Sequence, residues 1–226
     1  MLIFILAVVP VIIVMLYVYF QDKYEKEPAR LLIYNFLLGA VVSIIITTFL
    51  YVIIDLPIRL TDAKNIQEQF FKAFFIVALI EEFSKYVIIR YYSQRHKAFN
   101  EPFDGIVYAV MVSMGFAATE NVMYVLQGGM EIAILRAFTA IPAHATFAVL
   151  MGYFMGKAKF SNNRMFLNLT GLFLAVLFHG AYDFFLFIEF VPGIWIGAFI
   201  SLAVGIVLSG RAIRSHQNIS YFKPRT

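Results

Sequence analysis

Residues 70–90 read FFKAFFIVALIEEFSKYVIIR. A helix needs about 20 mostly apolar residues to cross a bilayer, and this run has the length. Yet its second half carries Glu81, Glu82 and Lys85. One ionisable group at the centre of a membrane helix costs roughly 2.5–3.5 kcal/mol on insertion scales. Three so close together are tolerated where they meet partners, water or a substrate. The stretch therefore sets two expectations: helices that span a membrane, and a polar site buried among them.

The pattern recurs along the chain. Glu120 and Asn121 lie in the next apolar run, His144 in a third, and His179 with Asp183 in a fourth. Ser84, Tyr86, Thr119 and Tyr182 flank these groups. Four successive apolar segments that each bear such residues read as the walls of one site.

Composition agrees. Of 226 residues, 62% are hydrophobic and 14% charged, and the mean hydropathy is +0.81. A soluble domain is nearer half apolar and a quarter charged. The expected fold is an all-α, polytopic transmembrane bundle of about seven helices. It forms one domain over residues 1–226, with a short cytoplasmic tail from about 214. A membrane barrel would show alternating segments of about ten residues; the apolar runs here are twice that. They cover roughly 2–20, 31–55, 70–90, 104–126, 132–156, 165–188 and 193–213. The first lacks a basic leader and a small-residue cleavage site, so it reads as a retained helix. Charged or Pro- and Gly-containing breaks separate the runs: Pro28, Pro57, Pro102, Gly128–Gly129 and Pro192–Gly193. Residues between 57 and 69 have room for a short surface helix. His96 and His216 fall in polar segments and read as solvated.

The basic residues set an orientation. With the N-terminus outside, thirteen Lys and Arg fall on the cytoplasmic side and four (Arg59, Lys64, Lys72 and Arg136) on the outer side. That asymmetry is the positive-inside bias. It also explains the net charge of +4 without a nucleic-acid partner. The expected location is the cell membrane, with the C-terminus in the cytoplasm and the lipid bilayer as surroundings. At 1.5 Å per residue, Glu81, Glu120, His144 and His179 then lie roughly 10–18 Å below the outer boundary of a core about 30 Å thick. They can meet.

Their chemistry suits hydrolysis. Glu81 and Lys85 share a helix face at four-residue spacing. His179 and Asp183 have the same spacing, so the carboxylate can orient the imidazole. Carboxylates can take a proton from water, while His and Asn donors hold a developing oxyanion. The chain has no Cys, which excludes thiolate chemistry. It also lacks H-E-x-x-H, a G-x-S-G serine motif and a G-x-G-D aspartyl motif.

At these residues the sequence resembles the PrsW family of intramembrane proteases, relatives of the prenyl-protein endopeptidases. Glu81-Glu82-Phe-Ser-Lys85 matches E-E-x-x-K, and Phe116-Ala-Ala-Thr-Glu120-Asn121 matches F-x-x-x-E-N. His144 is the third motif, with Ala148 where a Gly is often written. His179-Gly-Ala-Tyr-Asp183 matches H-x-x-x-D. The runs Asp22–Pro28 and Glu101–Tyr108 are also family-like. The resemblance implies site-1 cleavage of a single-pass, membrane-anchored anti-sigma factor, which activates a stress-response sigma factor. It implies Glu81, Glu82, Glu120, His144 and His179 as catalytic residues, supported by Lys85, Asn121 and Asp183. Zinc held among those five residues and metal-free water activation are both compatible with the residue types. Two other classes use buried polar groups of this kind: a proton-coupled transporter, which would show inverted halves, and a non-catalytic scaffold that binds a partner helix.

Overall fold

The computed structural model describes residues 2–55 and 62–224 of the chain; Pro57, Arg59 and Arg225 lie outside them. The described residues are mostly helical, joined by short loops, without a strand. They form seven rods. The first is α1 (Leu2–Gln21). The second joins α2 (Ala29–Leu37), a π-helical segment (Leu38–Ser43) and α3 (Ile44–Asp55). The third joins α4 (Ile66–Phe71), a second π segment (Lys72–Ala78) and α5 (Leu79–Tyr91). Then follow α6 (Pro102–Phe138), α7 (Ala140–Lys159), α8 (Arg164–Phe187) and α9 (Ile196–Asn218).

Local chemistry sets the ends. Asn65 caps α4 by accepting from the backbone N–H of Gln67 at 2.9 Å. Glu101 and Asp104 form a reciprocal capping box at the start of α6, with Pro102 in the first turn. Gly129 sits at φ 70° and breaks α6. Residues 130–138 are therefore a separate short helical piece, and α7 begins only at Ala140. The expected segment from 132 to 156 is divided here by a distorted backbone at Thr139 (φ −121°), and its first part brings Arg136 to Glu120. At the other end α9 runs on to Asn218. His216 is buried and stacks on Tyr153 with centroids 4.3 Å apart, not solvated as its sequence context implied. His96 is exposed, as expected.

The long apolar helices are Ala29–Ile54, the stretch containing α6 and α7, Arg164–Phe187 and Ile196–Asn218. Large apolar side chains such as Phe49, Phe166 and Val207 point outward. The protein is a multi-pass membrane protein whose outer surface is suited to lipid. α6 is the exception. From Pro102 to Ala118 every residue is buried, so it forms the central mast.

Helices reach the mast closely because small residues meet there. A Cβ on Gly115 would run into the Phe36 carbonyl, and one on Gly105 would lie 2.5 Å from the Gly156 Cα. Substituting Gly115 with Ala is expected to cost about 1–3 kcal/mol, the scale of overpacking. Gly210, whose Cβ direction is open, is the control. Thermal unfolding in detergent checks this: Gly115→Ala lowers the midpoint and Gly210→Ala does not.

The turn between α1 and α2 packs acidic groups together. Burial pushes the Asp22 carboxyl up to about 7, against the pull of Lys26. Burial and the neighbouring Asp104 carboxyl push Glu27 up to about 10. Both bind their protons more tightly folded than unfolded. Their contribution is therefore full below about pH 4 and lost as pH rises, through about 7 for Asp22 and about 10 for Glu27. The double variant Asp22→Asn/Glu27→Gln should show a flatter fall of unfolding midpoint between pH 5 and 9 (roughly this window). Parallel curves would refute the assignment.

Candidate active site

Four elements bring the sequence-expected residues together. α5 supplies Glu81, Glu82 and Lys85, α6 supplies Glu120, α7 supplies His144, and α8 supplies His179 and Asp183. Both Glu side chains of α5 follow directly on the π segment Lys72–Ala78. Single π turns inside helices occur often at functional sites. This one changes which way the next turn faces, and it carries no sequence signature.

At the centre, Glu81, His144 and His179 each offer a ligand atom, and these atoms lie within 4.8 Å of one another. All three residues are buried, at 4–5% exposure. The imidazole rings are 5.4 Å apart and nearly perpendicular. Phe147 stacks on His179 at 4.9 Å, and Phe116 and Phe147 each meet His144 edge-on.

Behind each imidazole stands a carboxylate. His179 Nδ1 is 2.9 Å from Glu82 Oε1, and its Nε2 is 3.3 Å from Asp183 Oδ2. His144 Nε2 is 2.8 Å from Glu120 Oε2. The carboxylates in turn meet cations. Lys85 Nζ donates to Glu82 Oε1 at 2.7 Å and lies over the Phe116 ring at 4.2 Å. The expected pairing of Lys85 with Glu81 is looser, at 3.8 Å. Glu82, three residues from Lys85, is the tighter partner.

Sequence reasoning missed two residues. Arg136 donates to Glu120 Oε2 at 2.8 Å and to Asn121 Oδ1 at 2.9 Å, and covers the Tyr124 ring. The fold-back after Gly129 brings it there. A lone Arg at the rim of an apolar segment was the available signal, and its place among the outer-side charges obscured it. Tyr51 donates to Glu81 Oε1 at 3.0 Å; nothing in the sequence distinguishes it from the other Tyr residues. Asn121 does not face the central group. Its amide donates to the Ala7 carbonyl at 2.9 Å and its oxygen holds Arg136.

The residues fit a metal ion. Glu81 Oε2 is buried without a hydrogen-bond partner. Each His has one ring nitrogen beside a glutamate, which is how ligand imidazoles are usually oriented; the other nitrogen of His179 meets Asp183 at 3.3 Å and that of His144 lies 3.4 Å from Lys85 Nζ, contacts an ion would replace. Glu81, His144 and His179 are the ligand set this arrangement offers. Glu82 and Glu120, also candidates by residue type, instead hold the imidazoles. A cavity of about 1210 Å³ opens onto this group, lined among others by Tyr51, Glu81, Glu120, His144, His179 and Asp183. Glu82 is behind its wall.

A buried donor set of this kind, with carboxylates behind it and a cavity before it, defines a hydrolytic class of membrane-embedded enzyme. A family model described as PrsW family intramembrane metalloprotease matches residues 27–209. Protease PrsW of Geobacillus kaustophilus (strain HTA426) is 37% identical over 195 residues, 86% of this chain and 84% of that protein. Protease PrsW of Oceanobacillus iheyensis is 39% identical over 181 residues, 80% of each chain. Protease PrsW of Bacillus subtilis (strain 168) is 35% identical over 183 residues, again 80% of each. No solved structure matches the chain. The chain belongs to the PrsW family of intramembrane metalloproteases.

Removing Arg136 leaves Glu120 without its cation. Arg136→Ala should lower turnover about 10–100-fold, the usual loss when a supporting partner of a metal ligand goes. Arg136→Lys should recover part of it. Proteolysis assays on folded, membrane-inserted protein check both; an unchanged rate would exclude the role.

Proposed function

We propose that this protease cleaves a single-pass membrane protein, an anti-sigma factor, at the cavity built on Glu81, His144 and His179. The observation that carries this reading is the convergence of those three buried side chains from three helices, within 4.8 Å. Glu81, His144 and His179 would hold a zinc ion, which supplies Lewis acidity and lowers the pKa of bound water. The chain's own residues do the rest. Glu82 and Glu120 fix the imidazoles. Lys85 and Arg136 balance those carboxylates, so the site is not left with uncompensated charge in low dielectric. Glu120 uses Oε2 for His144 and Arg136. Glu120 lines the cavity, and its Oε1, which neither bond engages, can take the proton of the attacking water, then return it to the leaving amine. Asp183 lies 3.3 Å from the other nitrogen of His179 and would give up that contact when the nitrogen takes the ion.

A second reading has one observation in its favour: Glu81 Oε2 accepts no hydrogen bond, its nearest cation being Lys85 Nζ at 3.8 Å, as a general base that receives the water proton itself would require. The two readings part on chelation.

The single domain sits in the plasma membrane with its N-terminus outside. The basic loops then face the cytoplasm, and the cavity end with residues 62–72 and 188–193 faces outward. This supports cleavage near the outer face, as site-1 cleavage requires.

The test is purified protein with a membrane-anchored anti-sigma substrate. Glu81→Ala, His144→Ala and His179→Ala should each lose at least about 10³-fold in rate, the scale for removing a group on which the reaction centres. Glu82→Ala should lose about 10–100-fold. Bound zinc near one per chain, with activity lost to a chelator and restored by zinc, supports the metal reading. Full activity in all four variants would reject the site.

A further inference from the structure

We propose that the substrate enters the cavity sideways from the bilayer, through the seam between α3 and the outer half of α6, and that the Tyr51–Glu81 hydrogen bond latches this seam. The inference rests on the proteolytic reading above and adds the route and the gate.

The seam is closed along half its length and open along the rest. On the closed half, Gly39 lies against the Val112 backbone, and Gly115 against Phe36 and Ala40. Thr119 Oγ1 then donates to the Ala40 carbonyl at 3.0 Å. Beyond Thr119 the two helices part. Thr48, Tyr51 and Val52 of α3 line one wall of the catalytic cavity, and Met123 and Tyr124 of α6 line another. Val52, Met123 and Tyr124 are also 59%, 44% and 49% exposed on the lipid-facing surface. The same residues therefore touch both the cavity and the surroundings, which is what an opening between them produces.

α3 is suited to move. Its lipid-facing side is apolar, with Ile45, Phe49 and Ile53 exposed. Its rod is tied to α5 by hydroxyls spaced about one per turn, the first from the end of the π segment and the next two from α3. Ser43 Oγ lies 2.5 Å from Ser84 Oγ, Thr47 Oγ1 donates to Ser84 Oγ at 2.9 Å, and Tyr51 OH donates to Glu81 Oε1. The first two lie deep, beside the closed half. Among the described residues the Tyr51 bond is the side-chain tie that holds the half bordering the opening, and it ends on a residue of the catalytic group. A peptide that reaches Glu81 must displace it.

The occupant is a stretch of membrane-embedded peptide unwound from helix, because a scissile carbonyl must leave its helical hydrogen bond to be attacked. Unwound backbone in a membrane needs partners supplied by protein. The Thr48 and Tyr51 hydroxyls and the Tyr124 phenol stand along the route to supply them.

The chain has no Cys, so one engineered pair gives the only thiols. Val52→Cys/Met123→Cys, bridged by a thiol-cleavable bismaleimide, should cut cleavage of the membrane-anchored substrate at least tenfold, with recovery when the linker is cleaved. The same linker across the groove between α1 and α9, in Val14→Cys/Ile206→Cys, should leave cleavage unchanged. Full cleavage with the first bridge in place, verified by mass spectrometry, would overturn the route. If the unbridged protein cleaves nothing, the proteolytic reading fails instead. A benzophenone residue then decides the route: capture of a single-pass segment from positions 52 and 123 supports it, and capture only from 206 overturns it. The latch is read on geometry rather than on rate. Spin labels on Val52→Cys/Met123→Cys should show a longer and broader distance distribution when Tyr51→Phe is added, because the bond to Glu81 is gone. An unchanged distribution would overturn the latch.

Discussion

A charge inside lipid must be partnered, and the site follows from that constraint. Lys85, at 1% exposure, and Glu82, at 0%, meet each other first. Glu82 then takes His179, and Glu120 takes His144 and Arg136. The result is two carboxylate–imidazole pairs, each with its own cation, converging on Glu81. Removing any one member leaves its partner charged and buried, a situation that costs far more than the pair contributes by existing. The network thus constrains the positions of four helices as well as the chemistry between them.

The fold provides the frame for this network. α6 is buried along its first half and accepts close neighbours through Gly105 and Gly115. Past Thr119 it leaves the second rod, and past Gly129 the chain turns back so that Arg136 caps Glu120. The close-packed half of the bundle is therefore the rigid base, and the open half carries the cavity. The hydroxyl ladder from α3 to α5 joins the two. It is polar enough to hold in an apolar setting and weak enough to yield.

Much of this was legible in the sequence, for identifiable reasons. Ionisable residues in apolar runs are rare enough to point to a site, and Glu81, Glu120, His144 and His179 do meet. The membrane-spanning rods followed from length and hydropathy. The illegible parts depend on backbone geometry. Two π segments carry no residue signature, yet one of them directly precedes Glu81. The short helix over residues 130–138 looks from its apolarity like the start of α7, and only the distorted backbone at Thr139 separates them. That misreading hid Arg136. Likewise, i to i+4 spacing gave Lys85 to Glu81, whereas helix rotation and the position of His179 give it to Glu82. His216 looked solvated because its neighbours are polar, but α9 runs far enough to bury it against Tyr153.

The central claim is that Glu81, His144 and His179 act as one hydrolytic unit. Residues that act as a unit show losses that do not multiply. The most direct test is kcat/KM of purified Glu81→Ala, His144→Ala and the double variant on one membrane-anchored substrate in liposomes. The double variant should be no slower than the slower single variant. Losses that multiply would show two independent contributions and contradict a single centre.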